Sequence, residues 1–167
     1  QLSLGAYAEW LWSEYPVRYP NLKIAMSEGG IGWVAMLLDR LDNIVDRSGY
    51  GLSTWDVRPA DVLKRNFWFC TIDDLAGLEQ RHHIGVDHLL LESDYPHQDG
   101  TWPDTQSIVW SQIGKFPAHE IERIAWRNAS FSSLTVWSRI CGKRITTGVE
   151  MPRRATSSTT PLRSTKR

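Results

Sequence analysis

An α/β fold built on parallel strands is the class this sequence predicts, and three observations predict it. Short apolar runs at residues 22–26, 66–72 and 88–92 are each followed by a segment whose apolar residues recur at helical spacing, the strand-then-helix alternation of a parallel sheet. The second and third runs, with FWFC and LLL at their centres, are apolar throughout rather than alternating, as strands buried on both faces are. Acidic, glycine-rich and imidazole-bearing residues cluster directly after the runs, where parallel α/β sheets bind ligands and do chemistry.

In order, Leu4, Tyr7, Ala8, Leu11 and Trp12 make one apolar stripe of a helix over residues 2–15, which Pro16 and Pro20 end. The run at 22–26, apolar except for Lys23, follows the turn residues Pro20 and Asn21 and closes at Ser27-Glu28-Gly29-Gly30. Two glycines after a strand allow positive φ and close backbone approach. They leave Glu28 either projecting at a ligand-binding rim or paired with a base near the start of the next helix. That helix, residues 33–47, presents Trp33, Leu37, Leu38, Leu41, Ile44 and Val45 on one face.

Residues 49–57 read as a loop, and Pro59 opens a helix at a position where its missing N–H costs nothing. After the aromatic strand, Asp73 or Asp74 is placed to cap a helix over residues 75–83. His82 and His83 end that helix, where cations are favoured, and are discounted as ligands. Beyond Asp94, residues 105–113 and 117–128 read as helices, the second opened by Pro117. Residues 130–150 receive no role, and residues 151–167, with bases and no acids, read as a disordered basic tail.

Composition narrows the partners. The 167 residues suffice for a sizeable core, and 19 acids balance 19 bases, which gives no general attraction to nucleic acid or an anionic membrane. No leader begins at Gln1 and no apolar run reaches the about 18 residues of a membrane span, so a soluble chain is expected. Two cysteines, Cys70 and Cys141, make no disulfide framework, and a reducing, cytoplasmic setting follows.

The densest stretch runs from His88 through Glu92, Ser93, Asp94, Tyr95, Pro96 and His97 to Asp99, Trp102 and Asp104. An Asp at a strand end with a His three residues on can be a metal ligand, a general base, or a turn residue beside Pro96. A serine triad of Ser93, Asp94 and His97 is set aside: three relay residues within five positions cannot align, and no G-x-S-x-G elbow exists.

The string ESDYPHQDGTWPD resembles the last-strand signature of the amidohydrolase-related family, TIM-barrel metalloenzymes that include aminocarboxymuconate-semialdehyde decarboxylase. YPNLKIAMSEGGIGWVAMLLDRLD and RPADVLKRNFWFCTIDD resemble the family's sixth-strand and seventh-strand segments, in the same order, and Asn128-Ala129 matches a pair near the end of its final helix. The resemblance implies that residues 1–129 are the C-terminal portion of a (β/α)8 barrel, since such barrels take about 250 residues and three strands are recognisable here.

It also implies a divalent metal, usually zinc, held in the complete enzyme by an H-x-H pair, a fifth-strand His and the Asp matched by Asp94, which in hydrolytic members doubles as general base. No H-x-H exists in this sequence and the fifth-strand His would precede Gln1, so this chain alone is expected to retain no stoichiometric zinc. Where the decarboxylase branch carries a His before the glycines, Glu28 stands instead.

The implied function is metal-dependent hydrolysis, or non-oxidative decarboxylation, of a small carboxylate, amide or lactone. Asp94 and Glu28 are the catalytic candidates; Trp33, Tyr95, His97 and Trp102 are candidates for substrate contact and equally for packing. The alternative is a catalytically silent barrel fragment that docks on a missing N-terminal half or on a second copy of itself.

Overall fold

The computed structural model of the chain describes residues 2–48 and 55–130. The expectations for residues 131–167, the loop at 49–54 and Cys141 lie outside the described residues.

Strands β1 (Ile24–Met26), β2 (Phe67–Thr71) and β3 (Leu89–Leu91) form one sheet in the order β1-β2-β3, all parallel. Ile24 pairs with Phe67, Phe69 with Leu89, and Thr71 with Leu91. The observed strands are shorter than the apolar runs, for a local reason at the first. Asn66, fully buried at the junction of helix α4 (Pro59–Asn66) with β2, donates from Nδ2 to Leu22 O at 2.7 Å and to Pro20 O at 3.3 Å. The backbone ahead of Ile24 is therefore held by a side chain rather than by a strand partner, which satisfies buried carbonyls without a ladder.

The two faces of the sheet differ. Phe67 and Phe69 point into the main core, where they meet Tyr7 and Leu11 of α1 (Leu2–Trp12) and Val34 and Leu38 of α3 (Gly32–Ser48). Trp68, Cys70 and Leu90 lie on the opposite face with Ala25, a smaller cluster of their own. Period-two alternation on a strand buried on both sides requires this division.

Three helices depart from the sequence reading. Pro16 does not end α1, which stops at Trp12; it sits in the first turn of a separate short helix, α2 (Tyr15–Arg18), entered through Glu14 at φ 63°. The helix expected over 75–83 is two, α5 (Leu75–Glu79) and α6 (Arg81–Ile84), because Gln80 N–H bonds back three residues to Gly77 O at 3.0 Å and interrupts the four-residue repeat. After α7 (Thr105–Ile113), the last segment starts as α8 (Ala118–Glu122) and widens into a π-turn at Arg123–Arg127. That widening delivers buried Asn128, whose Nδ2 donates to Val86 O and Leu89 O at 2.8 Å each, tying the chain's return to the entry of β3.

Two acids pin the connections. Asp74 caps α5 through Gly77 N at 2.9 Å and reaches the start of α3, accepting from Ile31 N at 2.6 Å and Gly32 N at 2.7 Å. Gly77 permits that contact, since a Cβ there would stand 2.8 Å from Gly32 N. Glu120, 8% exposed, receives Arg81 Nε at 2.6 Å while the guanidinium lies over the Phe116 ring.

Candidate active site at the carboxyl ends of the strands

Right-handed crossovers return parallel strands pointing the same way, so the residues just after β1 and β3 must share one rim. After β1 comes a turn at Ser27 and Glu28, with Glu28 at φ 56° and Gly30 at φ 62°. After β3 come Glu92, Ser93 and Asp94, the last at φ 53°. Glu28 is a residue type that rarely enters the left-handed region, whereas Asp, at 94, is among the side-chain-bearing types that enter it more readily.

The outcome is convergence. Glu28, Asp94 and His97 each offer a ligand atom within 4.8 Å of the others. His97 Nδ1 lies 2.9 Å from Asp94 Oδ2 and 3.1 Å from Asp99 Oδ1; the Asp94 side chain is 12% exposed, that of His97 66%. The hydrogen bond to Asp94, then its charge and those of Asp99 and Glu28, hold the His97 imidazole above its ordinary value near 6.5.

The loop carrying these groups folds back on itself. His97 N–H donates to Asp94 O at 2.8 Å and Thr101 N–H to Ser93 O at 3.0 Å. Gly100 passes so close that a Cβ would stand 2.8 Å from both Ser93 O and Asp94 O, so no larger residue fits without moving the Asp94 backbone.

The predicted contact residues divide. Tyr95 and Trp102 pair edge-to-face on this loop, ring centroids 5.3 Å apart and both well exposed, so they flank the cluster without belonging to the core. Trp33 does not join them. Its ring packs edge-on against Phe69 and near Tyr7, and its Nε1 donates to Gly29 O at 2.9 Å, which makes it a brace beneath the Glu28 loop.

His82 and His83 stay apart from the cluster, facing Glu120 and Asp39 respectively. Asp73 bonds Gln112 Nε2 at 2.7 Å and is committed to α7. Two participants escaped the sequence reading, Glu92 and Ser27: Ser27 Oγ donates to Glu92 Oε1, and Glu28 N–H to Glu92 Oε2 at 2.9 Å. The signal for Glu92 was its place two residues after Leu90, on the same face of the strand.

Where the sequence offered Asp94 as the one candidate ligand, the geometry brings Glu28 and His97 within reach of the same point. Two carboxylates and an imidazole within this span suit a divalent cation of the zinc or manganese kind, so the residues present fit the group that the resemblance implies.

A parallel α/β sheet whose strand ends gather acids and an imidazole is the arrangement of barrel metalloenzymes. The chain belongs to the amidohydrolase family, whose model matches residues 12–130. An amidohydrolase from Mycobacterium avium subsp. paratuberculosis K-10, known from its crystal structure, superposes with a TM-score of 0.61 at 28% identity, over 73% of this chain and 30% of that one. The chain thus spans less than a third of that protein's length, and its three strands are part of an α/β barrel sheet. No curated protein matches the chain.

Proposed function

We propose that this chain supplies the C-terminal strands of a metal-dependent amidohydrolase barrel that hydrolyses a small carboxylate, amide or lactone. The observation that carries the reading is the meeting of Glu28, Asp94 and His97 at one rim from segments 66 residues apart. A divalent cation, zinc in the first instance, would be held by Asp94 with Glu28 and His97 beside it, and supplies Lewis acidity and an acidified water. His97 Nδ1 lies 2.9 Å from Asp94 Oδ2, and His97, exposed to solvent, would pass a proton taken up by that carboxylate outward. Tyr95 and Trp102 offer an apolar wall to the substrate.

Decarboxylation, the chemistry of the aminocarboxymuconate-semialdehyde decarboxylase branch, is the finer alternative; Glu28 in place of that branch's His favours hydrolysis. A small-molecule substrate and a reducing, cytoplasmic setting accord with the balanced charge and the buried free thiol of Cys70. A second reading, a silent fragment that docks on a missing N-terminal half or on its own copy, is favoured by the sheet edges, since among the described residues β1 and β3 each pair on one side only.

The test is to express the chain with its upstream reading frame and assay zinc content, hydrolysis of model lactones and amides, and CO2 release from small carboxylates. Asp94→Asn should lower kcat by about 100-fold or more, the range expected for losing a general base. Full activity in Asp94→Asn would sink the hydrolase assignment of this rim.

A further inference from the structure

We propose that Glu92 is a positioning residue, whose carboxylate sets the distance between Glu28 and Asp94 and thereby assembles the cation site. The inference rests on the reading of Glu28, Asp94 and His97 as that site.

Glu92 follows β3 on the Cys70 and Leu90 side of the sheet, two residues before Asp94. Both of its oxygens are spent across the sheet on the loop after β1: Oε1 receives the Ser27 hydroxyl and Oε2 the Glu28 N–H. It also sits over the central strand, where burial first and the Glu92 charge second push the Cys70 thiol up. One side chain therefore ties the end of the first strand to the end of the third, across the second.

What it holds is a strained conformation. Glu28 is at φ 56°, and the bond from its N–H to Glu92 fixes that amide while the Glu28 side chain meets Asp94 and His97. Asp74 grips the same connection four residues on, at Ile31 and Gly32, and Trp33 braces Gly29. Glu92 alone among these touches Ser27 and Glu28 themselves.

A positioning role differs from a ligand role in what a neutral isostere does. Gln at 92 can accept from Glu28 N–H through its carbonyl and donate to Ser27 Oγ through its amide, so it keeps the clamp while removing the charge.

The experiment titrates the chain, expressed with its upstream reading frame, with Zn2+ by calorimetry as wild type, Glu28→Gln, Glu92→Ala, Glu92→Gln and the Glu28→Gln/Glu92→Ala double variant, and records amide hydrogen exchange of each without metal. Expected are an affinity loss of about tenfold in Glu28→Gln, a similar loss in Glu92→Ala, no further loss in the double variant, and near wild-type binding in Glu92→Gln. Exchange protection at Glu28 should be lost in Glu92→Ala and kept in Glu92→Gln.

Wild-type affinity in Glu92→Ala, additive losses in the double variant, or a loss in Glu92→Gln equal to that of Glu92→Ala would each overturn the positioning role. If the wild-type protein with its upstream part takes up no Zn2+, the cation reading of the rim fails by itself, and the exchange data decide: a Glu28 amide still protected in Glu92→Ala overturns the clamp, and protection lost there but kept in Glu92→Gln sustains it.

Discussion

Position after an apolar run put Asp94 near the ligand-binding end of a parallel strand but left it open between ligand, base and turn residue, and the resemblance of ESDYPHQDGTWPD to a family signature is what singled it out. His97 was named from sequence only for substrate contact, and its pairing with Asp94 needed the fold. Only the back-folded loop, closed by Thr101 on Ser93 and by the tight passage of Gly100, brings its ring to Asp94. That contact has a pH signature. Because the folded imidazole titrates above its ordinary value, the ion pair's contribution to stability is fully present below that ordinary value, near 6.5, and is lost as the pH rises through the raised folded one. The stability difference between wild type and His97→Gln, followed by urea unfolding of metal-free protein, should shrink as the pH rises from below 6.5 through the raised imidazole value. A difference that grows as the pH rises would mean that His97 is not paired with Asp94.

The strand-then-helix order was legible because hydrophobic periodicity reports burial, and burial is what a sheet covered by helices imposes. Element ends were less so, since they are set by bonds between distant segments. Asn66 holding Leu22 shortens the first strand, and the carbonyl of Gly77 divides one expected helix into two. Asp74 is the clearest case: an N-cap was expected of Asp73 or Asp74, but nothing in the sequence showed that the same carboxylate would also receive two amides at the start of α3, more than 40 residues earlier. A single cap is worth about 1 kcal/mol, so Asp74→Ala should cost about 2 kcal/mol, with Asp73→Ala costing less. The shift of the urea midpoint measures both, and a loss in Asp74→Ala no larger than that of a single cap would show that the bonds to Ile31 and Gly32 contribute nothing.

For the whole molecule, three parallel strands with helices between them were readable. What stands beyond either sheet edge was not, because no other run of the sequence read as a strand, and among the described residues β1 and β3 each pair on one side only. A closed barrel removes edges by pairing its first and last strands, whereas two open edges present unpaired N–H and C=O groups to any neighbouring chain. The chain by itself is therefore expected to self-associate, with a light-scattering mass above one chain that rises with concentration. A single species at 19.1 kDa that unfolds cooperatively would show it to be self-sufficient.

The left-handed backbone at Glu28 and Asp94 sets the interests of the fold against those of the rim. Glycine adopts that conformation freely, while a residue with a side chain gives up on the order of 1 kcal/mol to do so. At each of these two positions the residue most comfortable for the chain is one with no carboxylate at all. Random substitution screened for folding alone is expected to drift toward glycine at 28 and 94, and retention of both acids in a screen for activity is what a role for them predicts.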